Sequence, residues 1–181
     1  KEQIDTDREL TGIRTINVFD FDKTLFWTHD SDEGPKKYEK AFGQRYPHKG
    51  WFGREESLRD ELEIQENNLM RAIYDNLRQE PDSLNVLISN RTEKLLPRLK
   101  QFLSDRGYNF DDILLKKGKQ SKVDRLHQIW DKHQGVDKIN IFDDLDDAIG
   151  QYSQLRDLYS IYRDDLRINI FQVAPGEIIK V

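Results

Sequence analysis

Two aspartates, Asp20 and Asp22, follow the apolar run at residues 16–19 and are separated by a single residue. Side chains alternate faces along a strand, so both carboxylates leave the strand end on the same side and can reach one bound group. One carboxylate can attack while the other moves protons, and Thr24 adds a hydroxyl two residues later. These residue types at this spacing are typical of a phosphoryl-transfer site.

Two further strand-like runs also end in polar residues: residues 84–88 precede Ser89, Asn90 and Arg91, and residues 138–142 precede Asp143 and Asp144. Ligands of open parallel sheets bind beyond the carboxyl ends of the strands, so we expect these side chains to gather around Asp20 and Asp22. Neighbouring carboxylates repel one another unless protons or a cation intervene. Hard oxygen ligands without Cys or a His cluster suit Mg²⁺.

The order of the apolar runs predicts a fold in which strands alternate with helices. Strands are predicted at residues 14–20, 84–89, 113–115, 138–144 and 168–173, and helices at 94–106, 121–135 and 146–159. Ser121 and Asp124 resemble a capping box at the start of the second of these helices. Alternating strands and helices require crossover connections, which predicts an α/β fold: a Rossmann-like three-layer sandwich with a mostly parallel sheet.

The length of the chain and the distance between its first two strands predict the domain organisation. A chain of 181 residues fits one domain, and we expect a single domain over residues 1–181. About sixty residues separate the first two predicted strands, which is more than a simple crossover needs. We therefore expect a flap or small cap at residues 28–60, inserted after the first strand, and a crossover helix within residues 58–79.

The composition of the chain indicates which partners and which cellular compartment to expect. The net charge of −5 disfavours a surface that mainly neutralises a nucleic-acid backbone, and the absence of Cys excludes thiolate catalysis. No apolar run is long enough to span a membrane, and residues 1–5 lack the apolar core of a signal peptide. We expect a soluble monomer in the cytoplasm, with a secreted protein as the alternative.

Taken together, the motifs resemble the haloacid dehalogenase superfamily in its aspartate-nucleophile phosphatase branch. Asp-Phe-Asp-Lys-Thr at residues 20–24 matches the first family motif, DxDxT, Ser89 matches the second, and the Asp143-Asp144 pair matches the fourth. The third motif is a lysine, for which Lys122 is the first candidate and Lys117 and Lys119 are competitors. The resemblance covers roughly residues 14–171. An isolated Asp-x-Asp is often a solvated turn. Here the apolar strand before it and the second acidic pair favour a phosphoryl-transfer site instead.

The resemblance implies an Mg²⁺-dependent phosphomonoester hydrolase. Asp20 would be the nucleophile that forms an aspartyl-phosphate, and Asp22 would protonate the leaving group and then deprotonate the attacking water. Mg²⁺ would be held by Asp20, the backbone carbonyl of Asp22 and an aspartate of the fourth motif, with Asp144 preferred to Asp143. Ser89 and the third-motif lysine would contact the phosphoryl oxygens.

The sequence leaves several classes of substrate open. Residues expected to bind the substrate are Thr24, Asn90, Arg91 and Trp27, and Trp27, Tyr46 or Trp51 could line the mouth of the site. A small cap suits a phosphate on a macromolecule, and the acidic composition with an aromatic mouth favours a phosphotyrosine protein over nucleic acid. Residues 86–93 and 50–52 also resemble a branch described as RNA-repair-like, although Ser-Asn-Arg stands where that branch has Thr-Gly-Arg. The alternatives are therefore a polynucleotide-end phosphatase, a small-metabolite phosphatase and a non-catalytic phosphate-binding module.

Overall fold

The computed structural model describes residues 12–181, so the expectation about residues 1–5 lies outside it. In this part of the chain the strands are β1 (Thr15–Phe19), β2 (Phe26–Trp27), β3 (Gln65–Glu66), β4 (Ser83–Thr92), β5 (Asp112–Lys116), β6 (Lys138–Asp143), β7 (Arg167–Ala174) and β8 (Glu177–Lys180). The α-helices are α1 (Glu33–Phe42), α2 (Asn68–Leu77), α3 (Leu96–Asp105), α4 (Lys122–Trp130) and α5 (Asp146–Tyr162). None of these helices combines the length and the apolar character needed to cross a bilayer.

Six of the strands form one sheet in the order β5-β4-β1-β6-β7-β8, and β2 pairs separately with β3. The neighbours from β5 to β7 are parallel, and only the β7–β8 pair is antiparallel. This confirms the predicted α/β fold with a mostly parallel sheet. From β1 the chain moves outward through β4 to β5, and then returns to the other side of β1 to form β6 and β7. The carboxyl ends of β1, β4 and β6 therefore border the crevice where such sheets bind ligands.

Helices cover both faces of the sheet. Phe19 of β1 packs in a cluster with Tyr74 of α2 and Phe102 of α3. Val18, its neighbour in β1, belongs to a second cluster with residues of α4 and α5, including Tyr152. Successive residues of a strand point to opposite faces, so β1 contributes to both cores and the fold has three layers.

The strand register places residues of the same type side by side on the face of the sheet that packs against α2 and α3. Four asparagines form a row of side-chain hydrogen bonds across β7, β6, β1 and β4: Asn169 donates to Asn140 (3.0 Å), Asn140 to Asn17 (2.9 Å), and Asn17 to Asn85 (3.0 Å). Two residues further along, Phe142 stacks on Phe19 and Phe171 at 5.3 and 4.9 Å between ring centroids. The buried amides thus satisfy one another within the sheet, and the phenylalanine row lies next to the strand ends that border the crevice.

Several elements differ from those predicted. The helix expected within residues 58–79 begins only at Asn68, because the Asn67 side chain caps it by accepting hydrogen bonds from the amides of Leu69 and Met70. Short 3-10 helices at Glu55–Leu58 and Asp60–Leu62 precede it, and α1 was not predicted. β8, also not predicted, follows a tight turn in which Gly176 has a left-handed φ of 77°.

Candidate active site

The carboxyl ends of β1, β4 and β6 border a cavity of about 340 Å³. It is lined by six of the residues predicted from the sequence: Asp20, Asp22, Asn90, Arg91, Lys122 and Asp144. Asp20 directly follows β1 and Asp143 ends β6, whereas Ser89 lies inside β4, which continues to Thr92 with irregular pairing to β5 after Ile88. The topology therefore brings together side chains that are far apart in the sequence.

Three aspartates form a cluster, and two of them, Asp20 and Asp144, line this cavity. One carboxylate oxygen from each of Asp20, Asp143 and Asp144 lies within 4.8 Å of the others, and the first two side chains are almost completely buried. Burial, together with the repulsion from neighbouring carboxylates, raises the pKa of Asp143 to about 7 and that of Asp144 to about 8. The cluster concentrates more negative charge than the surrounding residues neutralise.

Lys122 places its ammonium between two of these carboxylates. Its Nζ donates to Oδ1 of Asp20 at 3.0 Å and to Oδ2 of Asp143 at 2.6 Å. Burial alone would lower the pKa of Lys122, but the two carboxylates outweigh it and raise the pKa, so the side chain is charged. Lys122 is the first residue of α4, and the predicted capping box of Ser121 and Asp124 is present at this helix start. The competing lysines 117 and 119 are exposed.

The other carboxylate oxygens of the cluster differ in whether they accept a hydrogen bond. Thr24 Oγ1 donates to Oδ2 of Asp20 at 3.0 Å, and the amide of Leu145 donates to Oδ1 of Asp143 at 3.1 Å. Oδ1 of Asp144, in contrast, is buried and has no hydrogen-bond partner among the described residues. The Asp144 carboxyl lies against the Asp20 carboxylate, and this contact adds to burial in raising the pKa of Asp144. The acidic cluster and this free oxygen fit a bound metal ion, and hard oxygen donors suit a divalent cation such as Mg²⁺.

Asp22 does not join the cluster and is instead paired with Arg91. The Arg91 guanidinium donates to both oxygens of Asp22, at 3.0 Å from Nε and 2.7 Å from Nη2, and Thr28 Oγ1 donates to Oδ1 at 2.6 Å. Nη1 of Arg91 also donates to the Phe52 carbonyl at 2.8 Å and to Ser57 Oγ at 2.6 Å. Arg91, which is only 3% exposed, thus connects the Asp22 carboxylate to the segment between β2 and β3.

A tight turn after β1 gives Asp20 and Asp22 their different surroundings. The amide of Leu25 donates to the Phe21 carbonyl at 3.0 Å, and Lys23 has a left-handed φ of 60°. That conformation costs a residue other than glycine about 1–2 kcal/mol, and such strain is found at functional sites. The turn brings Thr24 back to Asp20 and leaves Asp22 on the side of Arg91.

Arg125 is a site residue that the sequence reasoning missed. It is 1% exposed, and its guanidinium donates to the carbonyls of Ser89, Leu114 and Ser121 and to Oδ1 of Asn90. Burial lowers the pKa of Arg125, with nearby acidic groups opposing the effect. Arg125 thereby ties the start of α4 to the strand that carries Ser89. The available signal was its spacing of three residues from Lys122, which places both on one face of a helix.

Ser89 is buried beside this network rather than on the wall of the cavity. Its Oγ accepts a hydrogen bond from the amide of Arg91 at 3.2 Å. A hydroxyl can accept and donate at once, so this contact leaves the Ser89 hydrogen available to another acceptor. The geometry therefore allows Ser89 to donate to an oxygen that approaches the end of β4.

The aromatic residues considered for the mouth of the site lie elsewhere. Trp51 is 3% exposed: its Nε1 donates to the His29 carbonyl at 2.8 Å, and a Cβ added to Gly34 would lie 2.1 Å from its ring. Trp27 is half-buried in β2 and does not line the cavity. Phe52 does line it, with its ring centroid 5.1 Å from the Arg91 guanidinium carbon. Phe52 is thus the aromatic side chain exposed to a ligand in this cavity.

Comparison with known proteins adds a distant likeness of fold. No protein-family model matches the sequence, and no curated protein matches it. Among solved structures, a chain in the structure of the Pnkp1/Rnl/Hen1 complex is similar, with a TM-score of 0.55 and 14% sequence identity. The match covers 89% of this chain but only 46% of that one. At this identity, the likeness shows a shared fold.

Proposed function

We propose that this chain is a phosphomonoester hydrolase of the haloacid dehalogenase type that requires a divalent cation and forms an aspartyl-phosphate. The observation that carries the proposal is the cluster of Asp20 and Asp144 beside Lys122. The Asp144 oxygen without a hydrogen-bond donor lies near the Asp20 carboxylate, whose two oxygens accept hydrogen bonds from Lys122 and Thr24. Three carboxylates share one buried ammonium here, which leaves negative charge that a bound cation would neutralise. A cation site completes this arrangement.

In this proposal Asp20 attacks phosphorus and the leaving oxygen departs on the opposite side. Lys122 and Thr24 hold the two oxygens of Asp20, so its carboxylate is oriented before the substrate arrives. Lys122 also supplies positive charge where negative charge develops on the phosphoryl oxygens, and Ser89 donates to one of them. A cation held by Asp20 and Asp144, when bound, offsets the repulsion between the nucleophile and the phosphoryl group.

Asp22 is the proposed proton carrier. It donates a proton to the leaving oxygen in the first step and removes one from water in the second, which restores the free Asp20 carboxylate. The ion pair with Arg91 is compatible with the second role, since a base must be ionised. The first role requires this pair to loosen when Asp22 takes up a proton. Arg91 therefore sets the position of Asp22.

The structure weakens one reason for a phosphotyrosine substrate. That preference depended on an aromatic mouth, but Trp51 is buried and Trp27 lies away from the cavity, which leaves Phe52. A phosphopeptide remains a second candidate because Phe52 can still pack against a ring.

The test is hydrolysis of an aryl phosphate with Mg²⁺ by the wild type and by Asp20→Asn and Asp144→Asn. The matched control is Asp164→Asn, since Asp164 is exposed on the loop after α5. We expect each site variant to lose about 10³-fold or more in kcat, as catalytic groups that act as a unit do, and the control to keep its activity. Acid quenching during turnover should trap phosphate on the wild-type protein. An active Asp20→Asn variant would rule out the proposal.

A further inference from the structure

A second groove of about 290 Å³ adjoins the cavity at the start of α4. The two spaces share Asn90, Lys122 and Leu145 as lining residues, so they lie next to each other. Lys116, at the end of β5, and Lys119, in the loop before α4, line the groove and not the cavity. A ligand held in the cavity by one group can therefore extend into the groove with another.

The groove is suited to an anion. Lys116 and Lys119 are both exposed, and neither has an ion pair among the salt bridges of the described residues. Asp147 is the acidic residue of this lining, so the two free ammonium groups outnumber it. Asn90 adds a neutral donor: its Oδ1 accepts from Arg125, which leaves its amino group free to bind a ligand. The groove is therefore locally positive, although the net charge of the whole chain is negative.

Two partly exposed apolar side chains belong to the lining of the cavity. Leu145, at the junction of the cavity and the groove, is 48% exposed, and Phe52, also in the cavity lining, is 37% exposed. These side chains offer a ligand apolar surface beside the polar groups of the pocket. An aromatic face is also a surface on which nucleobases stack.

We propose that the groove lined by Lys116 and Lys119 binds the second phosphate of a polynucleotide end whose terminal phosphate lies in the catalytic cavity. This inference rests on the proposed phosphatase function and specifies its substrate. A nucleic-acid strand carries a charge at every linkage, so a second anion always follows the terminal phosphate at a reach of one nucleotide. A phosphopeptide supplies a second anion only where its sequence provides one. Lysines, as flexible point charges, suit phosphate contacts that do not depend on base sequence.

The experiment compares substrates that differ by one nucleotide, and therefore by one internucleotide phosphate. Uridine monophosphate and the matching phosphorylated diuridylate are hydrolysed in both 5′- and 3′-phosphorylated forms, next to a phosphotyrosine peptide with and without acidic neighbours. The readout is the ratio of kcat/KM between dinucleotide and mononucleotide, which cancels any general loss of activity. We expect the wild type to prefer the dinucleotide by about tenfold or more, mainly through KM, with a salt dependence steeper by about 0.7 in the log–log slope.

The variant that tests the groove is Lys116→Gln/Lys119→Gln, with Lys100→Gln/Lys132→Gln as a control that removes the same charge from exposed positions outside the groove. The groove variant should lose the dinucleotide preference and the added salt dependence, and the control should keep both. A wild type that hydrolyses aryl phosphate without preferring the dinucleotide overturns the inference and leaves the proposed function intact. A stronger preference for the acidic phosphopeptide overturns it in favour of a protein substrate. A wild type inactive on every phosphomonoester refutes both proposals.

Discussion

Replacing Asp144 with Asn should stabilise the metal-free protein while removing its response to Mg²⁺. The Asp144 carboxylate lies against two other carboxylates, and its Oδ1 is buried without a partner. In the folded protein its pKa is raised from 3.8 to about 8, mainly by burial. Asn keeps the shape of the side chain, removes the charge and provides a donor for a neighbouring carboxylate.

The sign of the pH dependence follows from where the proton is bound. Between pH 4 and 8 the folded chain keeps a proton on Asp144 that the unfolded chain has released, so the free energy of unfolding falls as the pH rises through this range. Asp144 is partly exposed, which reduces the effect to about 1–3 kcal/mol at pH 8. The wild type without metal should therefore be more stable near pH 5 than near pH 8, and Asp144→Asn should lose part of this difference.

Mg²⁺ should reverse the order of the two proteins. At about a hundredfold excess over its Kd, a ligand that binds only the folded state stabilises it by about 2.7 kcal/mol. For a chain of this length that corresponds to roughly 5–11 °C in Tm. Thermal unfolding at pH 5 and pH 8, with EDTA and with Mg²⁺, measures all four conditions for each protein. The reasoning is refuted if the variant is less stable than the wild type in EDTA at pH 8, or if Mg²⁺ stabilises both equally.

Two further substitutions test the residues that support the site. Arg125→Met should lower the free energy of unfolding by about 2–4 kcal/mol, because the Ser89 carbonyl and the Asn90 side chain lose a buried donor. Urea unfolding measures this loss, and Arg125→Lys should recover part of it; equal stability of all three proteins would contradict the structural role. Arg91→Lys should lower kcat on an aryl phosphate by about 10²-fold with little change in KM, since a single ammonium cannot hold both oxygens of Asp22. A change confined to KM would instead show that Arg91 acts by binding the substrate.

The residues that end strands were the predictable part of the site. Asp20, Asp143 and Asp144 each follow a short hydrophobic run, and the rule that parallel strands end at one edge is enough to bring them together. The capping box at Ser121 likewise placed Lys122 at a helix start, where the structure has it. Local pattern and topology are sufficient for such residues, because their position depends on the backbone alone.

Other features depend on contacts that local pattern does not encode. In the sequence, Arg125 resembles any other charged residue of a helix, and its role depends on the packing of α4 against β4, where it donates to the Ser89 carbonyl. The pairing of Arg91 with Asp22 joins residues that are 69 positions apart. In the inserted segment, Trp51 packs directly on Gly34, which hides from the solvent a ring that composition alone would leave exposed. The short 3-10 helices before α2 have too few residues to show a period, so one long helix was predicted in their place.

The row of asparagines across the sheet bears on how reliably the chain finds its own strand pairing during folding. Every bond in the row has the same direction, from Asn169 through Asn140 and Asn17 to Asn85. A strand that slipped by one residue would set an amide against aliphatic side chains and leave its neighbours in the row without their partners. Misaligned intermediates are thus penalised at several strands at once. A site whose side chains come from separate strand ends depends on this fidelity, because an offset of a single residue would disperse them.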